Sequence, residues 1–125
     1  MKKIWVFCLL CLAFVGESKA QSVYSIGTDG HLYSTNMWDG LPSQKVGTNW
    51  GHFKHVFAMG GGIIYAVDNG GRLLWYEHLG VKEKTEKWNG GQEVASGWGN
   101  FTHIIPIITT GIIFAIDSQR QSLSI

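Results

Sequence analysis

Apolar residues beyond residue 20 fall into short runs separated by glycine, asparagine and aspartate. Ile63-Ile64-Tyr65-Ala66-Val67 is an unbroken apolar run, and Phe53, His55 and Phe57 stand two apart. Residues two apart share one face of a strand, so this spacing predicts strands rather than helices. Four are predicted in the best-formed stretch: Phe53 to Phe57, Ile63 to Val67, Arg72 to Glu77, and a segment around Gln92 to Ala95. Phe53, His55 and Phe57 are placed on one face. The Ile63–Val67 run is apolar on both faces, as an inner strand packed between neighbouring sheets requires. Gly60-Gly61-Gly62 and Asn69-Gly70-Gly71 supply the positive φ angles of tight hairpins. No stretch beyond the first twenty residues carries a helical period.

The pattern repeats. Trp50 and Trp98, Phe53 and Phe101, and His55 and His103 are each 48 residues apart. The next strand slips by one: Ile63-Ile64-Tyr65-Ala66-Val67-Asp68 matches Ile112-Ile113-Phe114-Ala115-Ile116-Asp117 at an offset of 49, which puts an inserted residue in the Thr109-Thr110 turn. A third copy lies at the front, where Val23-Tyr24-Ser25-Ile26 and Asp29-Gly30-His31-Leu32 match Ile64–Val67 and Gly70-Gly71-Arg72-Leu73 at an offset of 41. A period in the forties with several short strands per unit is the sequence signature of a propeller blade. The expected fold is all-β, with β-propeller blades numbering about two and a fraction. Trp50, Trp98, Phe53 and Phe101 are read as packing between blades.

Composition adds a leader. Lys2 and Lys3 precede an apolar stretch from Ile4 to Val15 that closes on Ser18-Lys19-Ala20. The stretch is shorter than the roughly 20 residues of a membrane span and ends in small residues suited to signal peptidase. Residues 1–20 are therefore expected to be a signal peptide, a retained anchor being the alternative, and residues 21–125 the repeat domain of a secreted, extracellular protein. Cys8 and Cys11 both fall in the leader, so the remainder has no cysteine for a disulfide framework. Residues 21–125 carry seven Lys and Arg against eight Asp and Glu. Lys82, Lys84 and Lys87 alternate with Glu83 and Glu86 as a solvated loop does, so no basic face for nucleic acid is expected. The remaining apolar runs, Ile104–Ile108 and Gly111–Ile116, are too short for membrane insertion.

The order of elements resembles the tachylectin-type β-propeller lectins. Gly97-Trp98-Gly99-Asn100-Phe101 and Asn49-Trp50-Gly51-His52-Phe53 correspond to their Gly-Trp-x-x-Phe segment. Gly62-Ile63-Ile64-Tyr65-Ala66-Val67 and Gly111-Ile112-Ile113-Phe114-Ala115-Ile116 correspond to the apolar strand after it, and Gly71-Arg72-Leu73-Leu74-Trp75-Tyr76 and Gly30-His31-Leu32-Tyr33 to the third element. The resemblance implies a ring of about five blades that binds N-acetylated amino sugars, GlcNAc or GalNAc, between neighbouring blades without a metal or other cofactor. Two features depart from it. The acidic and amide-rich run before a tryptophan is echoed only by Trp38-Asp39-Gly40 and Trp88-Asn89-Gly90-Gly91, and Asp117-Ser118-Gln119-Arg120 lacks the Gly-Gly turn.

Sugar recognition needs an aromatic face for the apolar side of a pyranose and planar polar groups for its hydroxyls. Trp75, Tyr76, His78, Trp88 and Asn89, in and beside the long segment between Tyr76 and Trp98, are the candidate carbohydrate contacts, with packing as the other reading. Asn36, Trp38 and Asp39 form the comparable set in the first copy. His55 and His103 recur once per repeat, which suits a hydrogen-bonded sheet histidine rather than a metal site. Asp68 and Asp117 follow equivalent strands, where a carboxylate ordinarily bonds the turn backbone. No nucleophile elbow, no His-Glu-x-x-His and no paired carboxylates at helical spacing appear, so no enzyme is expected. Asn100-Phe101-Thr102 is a formal N-glycosylation acceptor at Asn100.

Two and a fraction blades cannot close a ring, and an open stack exposes sheet faces and edges. Either several copies assemble as a homo-oligomer, or the chain is a fragment of a longer product. The function expected is multivalent recognition of glycans bearing N-acetylhexosamine, in innate recognition of microbes. The alternative is a propeller that has lost its pockets and serves as a protein-interaction module.

Overall fold

The computed structural model describes residues 22–118 and 122–124. The expected leader and the Gln119-Arg120 end of the last turn lie outside the described residues. Ten strands form: β1 (Ser22–Ile26), β2 (Leu32–Asn36), β3 (Gln44–Gly47), β4 (His55–Gly60), β5 (Ile63–Val67), β6 (Leu73–His78), β7 (Trp88–Ala95), β8 (Phe101–Ile107), β9 (Ile112–Asp117) and β10 (Ser122–Ser124). All pairings are antiparallel, and no helix occurs among the described residues.

The strands make three sheets in the order of the chain. The first is β1-β2-β3, the second β4-β5-β6-β7, and the third runs β10-β9-β8. Each sheet is a meander, as hairpin turns of a few residues dictate, and the three are propeller blades. The second blade is complete. Among the described residues the first lacks a counterpart of β4 and the third a counterpart of β7.

Side-chain alternation on β5 decides where the cores sit. Ile64 faces the first sheet and joins Leu32, Val46 and Trp50 in one buried cluster. Tyr65 and Val67 face the other way and join Phe57, Leu73, Trp98, Ile113 and Ala115 in a second. The run that looked apolar on both faces is therefore the filling of two inter-blade seams. Trp50 and Trp98 each plug one of them, 6% and 3% exposed, as the repeat indicated.

Three strand expectations need correction. Phe53 does not share a face with His55 and Phe57. It lies in the turn closed by the Phe53 N–H to Trp50 carbonyl bond at 3.3 Å, which interrupts the alternation, so Phe53 packs in the first seam while Phe57 packs in the second. The third strand begins one residue later, at Leu73. The fourth begins at Trp88 rather than Gln92, because Trp88 and Asn89 pair with His78 and Glu77. One register shift carries that pairing past Gly91, and a second lies at Val94. Gly90 stands at φ 116°, and a Cβ there would meet the Trp75 carbonyl oxygen at 2.5 Å, a bulge only glycine allows. The inserted residue of the third copy does lie in the β8–β9 turn, where the four residues 108–111 stand in place of 60–62 in the second blade.

Candidate functional site: the seam between the first two blades

The seam is built by one repeated backbone device. In the β1–β2 turn Gly30 stands at φ 82°, and its carbonyl accepts from the N–H groups of Trp50 (2.8 Å) and Gly51 (2.9 Å) in the linker between the first two blades. In the β5–β6 turn Gly71, at φ 83°, accepts from Trp98 at 2.9 Å. The backbones touch at both places. A Cβ on Gly51 would lie 2.9 Å from Gly30 Cα, and one on Gly71 would lie 3.1 Å from the Gly99 nitrogen. The Trp-Gly pair thus clips each blade to the turn of the blade before it and drives the indole into the seam.

Around Trp50 the aromatic side chains of the second blade converge. Its ring centroid is 4.8 Å from Tyr76, 4.9 Å from Trp88 and 5.5 Å from Phe53. The Trp88 indole N–H donates to the Val46 carbonyl at 2.6 Å, tying β7 to β3 across the seam. Trp88 also stacks on the His78 ring at 4.4 Å and 17°. His78 is 3% exposed. Its Nε2 lies 2.7 Å from the Thr85 carbonyl, an acceptor, so Nε2 carries the proton and Nδ1 accepts from the Tyr24 hydroxyl at 2.8 Å. Burial pushes the Tyr24 phenol up to about 12.

Where this aromatic block reaches the surface it leaves open grooves that share His52. One, of about 540 Å³, runs from His52 and Phe53 over Asp68, Arg72 and Leu74 to Tyr76 and Gly91. A second joins His52 and Asn49 to Asp29 and Gly30. A third, of about 270 Å³, has Trp50, Tyr76 and Trp88 in its wall beside Thr48 and Asn49. The polar groups on this rim are held in place. Asp68 accepts from the Arg72 N–H (2.9 Å), the Gly70 N–H (3.0 Å) and the Arg72 guanidinium (2.6 Å). These bonds, the Arg72 backbone N–H foremost, keep its carboxyl below the usual carboxylate range. Asp29 is lowered in the same way by the Tyr33 hydroxyl (2.6 Å) and then by the His31 N–H (3.0 Å). Burial raises the Tyr76 phenol.

The candidate residues divide between places. Tyr76 and Trp88 line the seam grooves. His78 lies beneath them with both ring nitrogens engaged. Trp75 is on the opposite face of β6, paired with Tyr65 and turned toward the third blade. Asn89 is exposed on β7 opposite Glu77. Asn36 ends β2, and Trp38 and Asp39 follow in the β2–β3 loop; Asn36 accepts from the Trp38 N–H at 2.9 Å, and Trp38 is 66% exposed. That loop meets the β6–β7 loop through Lys84, whose ammonium is 2.8 Å from Asp39 and holds that carboxyl low. Asn100 is exposed in the linker before β8, at the repeat position of His52.

His52, Asn49 and Arg72 are groove residues that the sequence pattern did not single out, and Asp68, expected to bond the turn backbone, does so and also lines a groove. The signal for them was present: His52 sits inside the repeated Trp-Gly-x-Phe segment at the position that varies, and varying positions on a fixed scaffold are where specificity resides. Among the described residues no group of three or more His, Cys, Asp or Glu is placed to hold a metal ion.

The Tachylectin family model matches residues 18–123. The chain belongs to the tachylectin family, a lectin family whose members are generally non-enzymatic. No curated protein and no solved structure gives a match.

Proposed function

We propose that this protein is a secreted lectin that binds glycans bearing N-acetylated amino sugars, GlcNAc or GalNAc, in the seam between neighbouring blades, and that it serves innate recognition of microbes. It acts by binding alone. The observation that carries the reading is the groove shared by His52, Asp68, Arg72 and Tyr76 in a chain of a lectin family. Its wall offers the flat apolar face that a pyranose ring stacks on, and its rim offers fixed planar groups: imidazole, guanidinium and carboxylate. The Asp68–Arg72 pair presents a donor and an acceptor side by side, which suits vicinal hydroxyls. Tyr76 and Trp88 are the aromatic contacts. Trp38, Asp39 and Asn36, tied to the neighbouring loop by Lys84, are proposed to receive the extension of a longer glycan. Asn100 is proposed to carry an N-glycan.

A glycan array followed by calorimetry with free GlcNAc and GalNAc tests this. His52→Ala and Arg72→Ala replace exposed side chains outside the two buried clusters. Each is expected to weaken binding about tenfold, the loss of one or two hydrogen bonds to a charged or polar group, with unchanged folding. Undiminished binding by both variants, or no N-acetylhexosamine on the array, overturns the proposal.

A further inference from the structure

The three blades stack front to back, and the register makes the two faces distinct. The front of the second blade, carrying Phe57, Tyr65 and Val67, is covered by the back of the third, carrying Ile104, Ile113 and Ala115. Offsets of 48 and 49 place Ile105, Phe114 and Ile116 on the front of the third blade, as equivalents of Phe57, Tyr65 and Val67. An offset of 41 places Val23 and Ser25 on the back of the first blade, as equivalents of Ile64 and Ala66, which in turn match Ile113 and Ala115. Both faces are open: Ile105 is 49% exposed, Phe114 37% and Val23 49%. Of their counterparts, Phe57 is 8% and Ile64 0% exposed, and Tyr65 is half-buried.

We propose that the front of the third blade docks on the back of the first blade of a second copy of this chain, repeating between copies the contact made inside each. The occupant is fixed by self-complementarity. One end of the molecule bears the surface that the repeat covers, and the other end bears the surface that does the covering. Such a contact is head-to-tail, using two different patches, so each copy can join a neighbour on both sides. The Trp-Gly clip has no part in it, since the linkers bearing Trp50 and Trp98 are both used within the chain, and the contact is therefore weaker than an internal seam. The inference rests on the placement of apolar positions and stands whether or not the grooves bind sugar.

The test uses the full chain, expressed and recovered as the cell processes it, with light scattering after size exclusion. The wild type is expected to run as an oligomer. Val23→Arg, which spoils the back, and Phe114→Glu, which spoils the front, are each expected to run as a monomer with native near-ultraviolet circular dichroism. An equimolar mixture of the two is expected to give a species of twice the chain mass, because each variant retains the face the other has lost. If Phe114→Glu does not fold, Ile105→Lys on the neighbouring strand of the same face takes its place. A folded, strictly monomeric wild type, as when the chain's own first residues cover Val23, overturns the proposal. So do variants that assemble as the wild type does, or a mixture that stays monomeric.

Discussion

Four glycines hold the blades together, and they do so by two different physical means. Gly30 and Gly71 are needed for their positive φ, and Gly51 and Gly99 for the absence of a Cβ where two backbones meet. The first pair of blades separates the two effects. A Cβ on Gly30 would meet nothing within 4 Å, so Gly30→Ala pays only the left-handed backbone strain, about 1 kcal/mol. Gly51→Ala places its methyl 2.9 Å from the Gly30 Cα and must separate the chains, which breaks the Trp50 and Gly51 bonds to the Gly30 carbonyl at about 1 kcal/mol each. It also lifts the Trp50 ring from the seam. Urea unfolding followed by tryptophan fluorescence is expected to show Gly51→Ala as the more destabilising by at least a factor of about two in ΔΔG. Equal effects would mean that the clip is backbone strain alone.

At the scale of elements, β1 depends on the second blade through Tyr24 and His78. The phenol is raised from 10.0 to about 12 by burial. Below pH 10 the tyrosine is protonated in both the folded and the unfolded chain and costs nothing. Between pH 10 and 12 the unfolded chain loses this proton while the folded one keeps it, so stability falls as pH rises through that interval. Tyr24→Phe is expected to flatten this alkaline decline in chemical denaturation, while lowering neutral-pH stability by about 1 kcal/mol for the bond to His78 Nδ1. An unaltered alkaline profile would remove Tyr24 as its source. The strands themselves were legible because alternation and glycine punctuation are local properties, and the plugging role of Trp50 and Trp98 was legible because it recurs. Phe53 was misplaced because a turn broke the period just where two-residue spacing continued in the letters. The start of β7 was hidden because Asn89-Gly90-Gly91 reads as loop, and only pairing with β6 makes it strand. Of the candidate site, Tyr76 and Trp88 were visible as aromatic excess. Trp75 is directed to the other face by alternation along β6, His78 shares the face of Tyr76 but is buried under Trp88, and the groove-forming approach of His52 to Asp68 and Arg72 is a product of the linker folding back on the β5–β6 turn of the second blade.

For the whole molecule, the proposed front-to-back assembly and the proposed sugar grooves have a joint consequence. A single open groove with a few hydrogen bonds binds a monosaccharide weakly, and the useful affinity on a surface dense in glycans comes from several grooves engaging at once. Linking sites raises the effective concentration at the second contact, so avidity exceeds single-site affinity by about 10² to 10⁴ when geometry permits. Phe114 is on the front of the third blade, away from the seam that holds His52, Arg72 and Tyr76. Phe114→Glu is therefore expected to leave calorimetric binding of free sugar unchanged and to reduce retention on a GlcNAc-coated surface by about 10²-fold or more. The reverse variant, Arg72→Ala, is expected to weaken both while leaving the oligomer intact. If Phe114→Glu weakens free-sugar binding as much as surface retention, the two ends of the blade stack are coupled through the fold. If it changes neither, each chain acts alone and the grooves are stronger than their open geometry suggests.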